Sequence, residues 1–353
     1  MNGQLIQSSF FLRLAFALIT VLTGLIASCN LLIEKPANFV QSTELVFPNV
    51  NTYYALIIKD KTVVALINGG SQSDLLSYAM ENDSSPTLFS LPSDPDCFLT
   101  NYYGDDSLPD GRLQILKLCG SGGNGTDTYL MRYNWETKRL ERLIGPLPLG
   151  TSGASWNPDQ TKAIAYLDSK FASKTLFWIR KGGFDPLNLE IRDGNRSWNL
   201  QDDFPKFTAD DTGKSGTTGR ASWSPDGKSI AFFASPDAIG KTSFERFGVE
   251  HKLYLMNPET LQYEVVAESI FSPFLLAWSP DSNHIAFIGK YGFRKENGIW
   301  LYSIKTNSIT EISKGIFQGI VWRPDGNSLV AIKCEDFDIC NKILEYDLSN
   351  ILE

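Results

Sequence analysis

Four stretches of the chain share one order of apolar and polar positions. They are Ala154-Ser155-Trp156-Asn157-Pro158-Asp159, Ala221-Ser222-Trp223-Ser224-Pro225-Asp226-Gly227, Leu276-Ala277-Trp278-Ser279-Pro280-Asp281 and Ile320-Val321-Trp322-Arg323-Pro324-Asp325-Gly326. Each leads into an unbroken apolar run: AIAYL at 163–167, SIAFFA at 229–234, HIAFIG at 284–289 and SLVAIK at 328–333. Runs that are apolar at successive positions read as strands buried on both faces. The polar residues between them read as a turn. Pro presets φ near −65°, Asp follows, and Gly supplies the left-handed residue that closes the reversal. A weaker copy is Leu108-Pro109-Asp110-Gly111 followed by LQILKLC, and a weaker one still is ALIIKDKTVVALI with Asp60 in the turn.

The turn aspartates at 60, 110, 159, 226, 281 and 325 are spaced by 50, 49, 67, 55 and 44 residues. This predicts six units of about 50 residues, a period that belongs to repeat architectures. After each hairpin comes a second strand pair: TYLMRYNWETKRLERLIG at 128–145, KLYLMNPETLQYEVVAE at 252–268 and GIWLYSIKTNSITEIS at 298–313. Four antiparallel strands per unit is a propeller blade. The sixth unit has only a third strand, KILEYDL at 342–348, before the chain ends. The segment ELVFPN at 44–49 has no local partner. It is expected to complete the last blade, so that no inner edge stays open. The expectation is an all-β, six-bladed β-propeller closed by an N-terminal strand.

The Trp-x-Pro-Asp-Gly-x-x-[Ile/Leu]-Ala-[Phe/Tyr] pattern resembles the TolB-type, WD40-like propeller repeat, over roughly 45–350. Related blades occur in the propellers of prolyl-oligopeptidase-like peptidases. The resemblance implies the fold. It does not carry over a Tol–Pal role, because the α/β domain that precedes the TolB propeller has no counterpart in so short a leader. Nor does it carry over proteolysis, because no residues remain for a hydrolase domain.

The leader predicts an address. Residues 1–13 carry one cationic side chain, Arg13, and 14–28, LAFALITVLTGLIAS, carry no charge. That is the length of a signal-peptide core and short for a membrane span. It ends in Ile26-Ala27-Ser28-Cys29, which resembles a bacterial lipobox with Cys29 as the lipidated residue. The organisation expected is a signal peptide at 1–28, a tether at 29–43 and a propeller at 44–353, lipid-anchored outside the cytoplasm to the cell membrane or outer membrane. Export changes how the other cysteines read. Four remain, and an even number in an oxidising compartment suggests two disulfides. Leu108 lies midway between Cys97 and Cys119, so folding that hairpin sets them opposite each other. Cys334 and Cys340 flank EDFDI and are expected to clamp that loop.

Composition narrows the chemistry. Lys plus Arg is 32 and Asp plus Glu is 40, a net charge of −8, which argues against a phosphate-driven nucleic-acid binder. Two histidines, His251 and His284, leave no room for a His-rich metal site. Gly213-Lys214-Ser215 and Gly227-Lys228-Ser229 lack the first Gly of a P-loop. Asp202, Asp203, Asp210 and Asp211 lack the D-x-D-x-D order of a calcium loop. No catalytic residue, metal or cofactor is expected. The long connections are inserts at 119–127, 193–219, 235–251 and 289–297, nearly all on the face opposite the Pro-Asp-Gly turns. Binding residues expected there are Trp198, Phe204, Phe244, Arg246, His251, Tyr291, Phe293 and Arg294, since aromatics beside Arg are frequent in binding hot spots. The function expected is a binding or scaffold protein with a protein or small-molecule ligand on that face. The alternatives are a metal-dependent hydrolase or lyase of the six-bladed type, or a subunit of a cell-envelope complex.

Overall fold

The computed structural model describes residues 40–45, 55–59, 62–69, 72–79, 87–91, 97–100, 113–119, 127–147, 151–167, 176–180, 191–193, 196–198, 217–235, 248–292, 296–336 and 339–352. The chain divides into Met1–Phe39 and a compact unit, Val40–Glu353, and the described residues all belong to the second.

The described regular structure is strand throughout. In chain order it begins with β1 (Ser42–Leu45), then β2 (Ala55–Lys59), β3 (Thr62–Gly69), β4 (Gln72–Ala79) and β5 (Thr87–Ser90). Next come β6 (Cys97–Thr100), β7 (Leu113–Cys119), β8 (Asp127–Asn134) and β9 (Arg139–Leu147). They are followed by β10 (Thr151–Trp156), β11 (Lys162–Leu167), β12 (Leu176–Arg180), β13 (Ile191–Asp193) and β14 (Arg196–Trp198). The remainder are β15 (Thr217–Trp223), β16 (Ile230–Ala234), β17 (Glu250–Met256), β18 (Tyr263–Trp278), β19 (His284–Tyr291), β20 (Gly298–Ser303), β21 (Ser308–Lys314), β22 (Ile316–Trp322), β23 (Ser328–Cys334) and β24 (Lys342–Asp347). Every pairing is antiparallel between neighbours in sequence, except that β1 pairs with β24.

These pairings form a succession of meanders: β2–β5, β6–β9, β10–β12, β15–β18, β18–β21, and β22–β24 completed by β1. β13 and β14 form a separate two-stranded hairpin. Apolar clusters join all but one of the successive meanders, the β6–β9 and β10–β12 pair being linked through Gln114. Val64 and Leu91 pack with Leu99, Leu113 and Ile115. Ile164 packs with Trp223 and Phe232. Phe233 and Ile270 pack with Trp278 and Phe287, and Leu275 and Ile299 with Phe317 and Trp322. Leu56, Val63 and Ala65 of the first meander pack with Val330, Ile332 and Ile343 of the last, so the series returns to its start.

The tryptophan of the repeat is the joint. At two joints its indole N–H reaches back to the preceding meander, Trp278 Nε1 donating to Ser222 O and Trp322 Nε1 to Ala277 O, each at 3.0 Å, while at Trp223 the backbone N–H donates to Ser155 Oγ at 2.9 Å. The acceptor of each of the two indoles is the carbonyl one residue before the preceding tryptophan. At the β7–β10 joint Gln114 stands in, accepting from Trp156 Nε1 at 2.7 Å and donating to Ala154 O at 2.6 Å. A buried indole N–H needs such a partner, and here the partner also fixes the stagger of neighbouring sheets.

The turns behave as their residues dictate. Gly227 N–H donates to Ser224 O, and Ser224 N–H to Ser229 O. Ser224 Oγ donates to Asp226 Oδ1 at 2.7 Å and accepts from Ser229 N–H at 3.0 Å. Gly227 has φ +75°, and a Cβ there would lie 3.1 Å from Pro158 Cδ in the turn of the preceding meander. Gln160 and Ser282 hold the same left-handed position without glycine. The turns at Asp60 and Asp110 lie outside the described residues.

Both disulfides are present. Cys97 and Cys119 are directly paired across β6 and β7. Cys334 and Cys340 are joined and lie buried in the cluster between the last and first meanders. The closing strand is Ser42–Leu45, two residues ahead of the segment expected, and residues 46–50 lie outside the described set. Val40 already packs on the cluster with Leu348 and Trp322, so the compact unit starts at 40 rather than 44. A polar strand such as STEL carries no hydrophobic alternation to mark it. Its place is set by backbone pairing with β24.

Two outcomes test this account. Deleting 40–45 should strip the edge of β24 and broaden or abolish cooperative thermal unfolding, whereas deleting 30–38 should leave the melting temperature within about 2 °C, the scale of a change well below 1 kcal/mol. Equal tolerance of both deletions would refute closure by β1.

Acid should act in two steps. Burial lowers the His284 pKa below its ordinary value against the opposing pull of Asp281. The neutral ring therefore stabilises the fold, a contribution lost as pH falls below about 6.5. Burial raises the Asp226 and Asp281 carboxyls, but hydrogen bonds from Ser224 and Ser279 and from the N–H groups of Lys228 and Asn283 bring both below the ordinary value. Their contribution is present above about pH 4 and disappears as pH falls through the lowered values. Melting followed from pH 8 to 3 should show both declines, and His284→Gln should remove the upper one.

Candidate binding face

In four meanders, β10–β11, β15–β16, β18–β19 and β22–β23, the first and second strands are joined on one face by the Pro-Asp turns. At the opposite face the described strands end where the inserts 235–251 and 289–297 begin, and the stretch between β17 and β19 is described in detail. β18 is sixteen residues long. It leaves the outer edge of one meander, crosses this face and becomes the inner strand of the next. At the crossing it pairs on both sides at once. Ile270 lies opposite His251 of β17 and opposite Tyr291 of β19, while Phe271 lies opposite Glu250 and Lys290. The roots of the inserts 235–251 and 289–297 are thus zipped together through two residues of β18.

The crossing requires backbone that β-branched residues resist. Ser269 and Ser272, which bracket Ile270-Phe271, have φ of +58° and +49°. Each non-glycine residue in that region costs on the order of 1 kcal/mol or more. Three hydrogen bonds hold Ser269 there. Glu250 Oε1 accepts from its N–H at 2.8 Å and its Oγ at 3.1 Å, and its carbonyl accepts from Gly292 N–H at 2.9 Å. Gly292 itself has φ +67°. Glu250 stands at the end of one insert and Gly292 inside the other, so the strained residue is clamped from both.

The expected binding residues divide accordingly. His251 is fully buried, its Nδ1 2.9 Å from Val249 O, which makes it a structural residue of the crossing rather than part of a contact surface. Tyr291 is half-buried against Trp300, ring centroids 5.3 Å apart, and Trp300 Nε1 donates to Gly289 O at 3.1 Å. Trp198 falls in β14. Phe204, Phe244, Arg246, Phe293, Arg294 and Cys29 lie outside the described residues. The structure therefore brings His251 and Tyr291 to opposite sides of one residue, Ile270 of β18. Glu250 and Ser269 were missed in the sequence. The signal available was that the apolar run 263–278 is too long for an ordinary strand and is punctuated by serines.

Among the described residues no group of three His, Cys, Asp or Glu side chains is placed to hold a metal ion. No helix there is long and apolar enough to cross a membrane. What the described part of the face supplies is a three-strand junction, β17–β18–β19, that links the ends of the segments flanking 236–247 and 293–295.

No protein-family model matches the chain, and no curated protein matches it in sequence. Solved structures do match. TolB of Acinetobacter baumannii is 13% identical with a TM-score of 0.53, over 82% of this chain and 65% of that one, so the chain spans just under two thirds of that protein. A TolB-type protein of Agrobacterium tumefaciens is 14% identical with a TM-score of 0.52, over 87% of this chain and 98% of that one. A chain of the nidogen/laminin complex is 11% identical with a TM-score of 0.50, covering 82% and 90%. The fold is a β-propeller. Its meanders are blades.

The clamp on Ser269 predicts a compensating pair. Glu250→Ala should lower stability by about 1–2 kcal/mol, because a charge-assisted acceptor is lost beside a strained residue. Adding Ser269→Gly should recover much of that loss, since glycine adopts φ +58° without strain. Chemical denaturation of the single and double variants measures both terms. Additive losses would show that the carboxylate does not hold Ser269.

Proposed function

We propose that this protein is a lipid-anchored extracytoplasmic propeller of six blades that acts as a binding or scaffold protein through its loop face. The observation that carries the reading is the platform at Ile270-Phe271, which fixes the roots of two inserts whose tips carry Phe244, Arg246, Phe293 and Arg294. A rigid scaffold with aromatic and Arg residues on its loops is how a recognition surface is built. The similar folds include a chain of a nidogen/laminin complex, which supports a partner that is itself a protein. Two disulfides fit an oxidising compartment, and the lipobox ending at Cys29 supplies the anchor. Nothing among the described residues favours the hydrolase or lyase alternative.

Membrane extraction followed by mass spectrometry should find a diacylglyceryl thioether on an N-terminal Cys29. Crosslinking in intact cells should then capture a stoichiometric protein partner. Alanine at Phe244, Arg246, Phe293 and Arg294 together should reduce that capture about tenfold or more, the scale of a hot spot, with an unchanged melting temperature. Undiminished capture would move the partner off the loop face, and a mature chain that retains residues 1–28 would remove the anchor.

A further inference from the structure

The outer strands of the blades have open backbone edges, and one of these edges is unlike the rest. β18 begins as the outer strand of a blade, where 263–265 pair with β17 on one side and with no strand on the other among the described residues. Tyr263 and Val265 are 46% and 42% exposed, two of the three large apolar side chains so exposed among the described residues. They lie opposite Met256 and Tyr254, so both stand on the same side of the sheet. The Tyr263 ring meets Tyr254 edge-on at 5.9 Å, and Tyr254 stacks on buried Phe232 at 5.5 Å. The core thus holds an exposed aromatic in place at an open strand edge. On the outer strands β9, β21 and β1 every described apolar side chain is buried or half-buried. An apolar open edge of the β18 kind is what proteins ordinarily blunt or cover.

Charge identifies what would cover it. Beside the β18 edge Glu259 and Glu264 are exposed, and Glu268 is paired with Lys252 at 2.6 Å. The outer edge of β9 is also without a further strand among the described residues, and its charges have the opposite sign. There Glu141 pairs with Arg132 at 2.8 Å, and Lys138, Arg139 and Arg142 are exposed beside one exposed carboxylate, Glu136. The Arg142 guanidinium stands 5.8 Å above the Tyr129 ring. We propose that β18 of one copy of this protein docks edge to edge on β9 of a second copy. The chain carries a net charge of −8, so copies repel except where opposite charges meet. Pairing β18 with itself would set Glu259 and Glu264 against their own counterparts, and pairing β9 with itself would do the same to Arg139 and Arg142. Like charges placed across paired strands oppose the pairing. The unlike edges are the combination in which charge and open backbone agree.

The contact is short. Regular pairing ends at Val265 in β18 and runs from Arg139 to Arg142 in β9, a register shift following in each strand. With so short a ladder, Tyr263 and Val265 supply the apolar contact and the charges select the partner. The two edges belong to different blades, so the contact is heterologous. A pair of copies still offers one β18 edge and one β9 edge, and further copies add unless the rotation closes a ring. Neither the lipid anchor nor the loop face is needed for it.

The test puts the photocrosslinker p-benzoylphenylalanine in place of Tyr263 in the full chain, in intact cells. Illumination should give species of two chains and more, with the bridge mapped by mass spectrometry to 139–144 of a second copy. A bridge to 259–268 of the second copy, a bridge to a different protein, or no adduct overturns the proposal. Charge reversal supplies the second measurement. Glu259→Lys with Glu264→Lys, and separately Arg139→Glu with Arg142→Glu, should each lower the crosslink yield about tenfold or more. Coexpressing the two variants under different tags should restore it as mixed species, because each then presents the charge that the other's edge requires. Loss without that recovery, or an undiminished yield in the Arg139→Glu, Arg142→Glu variant, overturns the pairing of β18 with β9.

Discussion

A ring of sheets is stable only if its two ends meet. Every blade but the last can be folded from consecutive strands, each paired to a neighbour a few residues away. The last blade is the exception: β22, β23 and β24 pair in series, and the strand beside β24 is β1. The pairing of Ser42–Leu45 with β24 resolves this by bringing together segments about three hundred residues apart in the chain. Such a contact is entropically the most demanding in the molecule. It is reinforced where it is made. The Cys334–Cys340 bridge and the cluster of Leu56, Val63, Ile332 and Ile343 lie at the same seam.

The joints between the other blades follow one device used repeatedly. A tryptophan at the end of an inner strand donates its indole proton across the interface to a backbone carbonyl of the blade before it. At the two earlier tryptophans the link takes another form: Trp156 donates to the Gln114 side chain, and the backbone N–H of Trp223 donates to Ser155 Oγ at 2.9 Å. The turns extend the same logic to one face of the ring, with Pro158 against Gly227 and Asp226 N–H bonded to Ser282 Oγ. Where the sequence departs from the pattern, the structure substitutes. Arg323 replaces the capping Ser or Asn and turns instead to Glu345, to which Ser328 Oγ also donates. This ties the last turn to the strand that receives β1.

The two faces of the ring are consequently unlike. One is a set of short, mutually packed turns carrying carboxylates, and it receives the N-terminal strand. The other carries the long inserts over a strained crossing that no turn motif stabilises. Glu250, Ser269 and Gly292 supply the hydrogen bonds that hold it. Backbone strain in the described residues is thus concentrated at the crossing, and the packed turns lie at the other end of the strands.

The local chemistry of the sequence determined the hairpins, their turns and the Cys97–Cys119 pairing. Pro, Asp and Gly act within four residues, and a hairpin's register follows from its turn. The repeat spacing then determined the ring, because each hairpin buries its apolar strands only against another like it. Three things were settled by tertiary structure alone. The closing strand is STEL because what matters is which backbone lies along β24, and polar side chains at an outer edge leave no pattern to read. β18 runs unbroken through two blades because Ile270 pairs with both His251 and Tyr291, a three-strand register that no single segment encodes. His251 is interior for the same reason. It borders a long insert in the sequence, but its position in β17 places it under the crossing, where burial is decided by neighbours far along the chain.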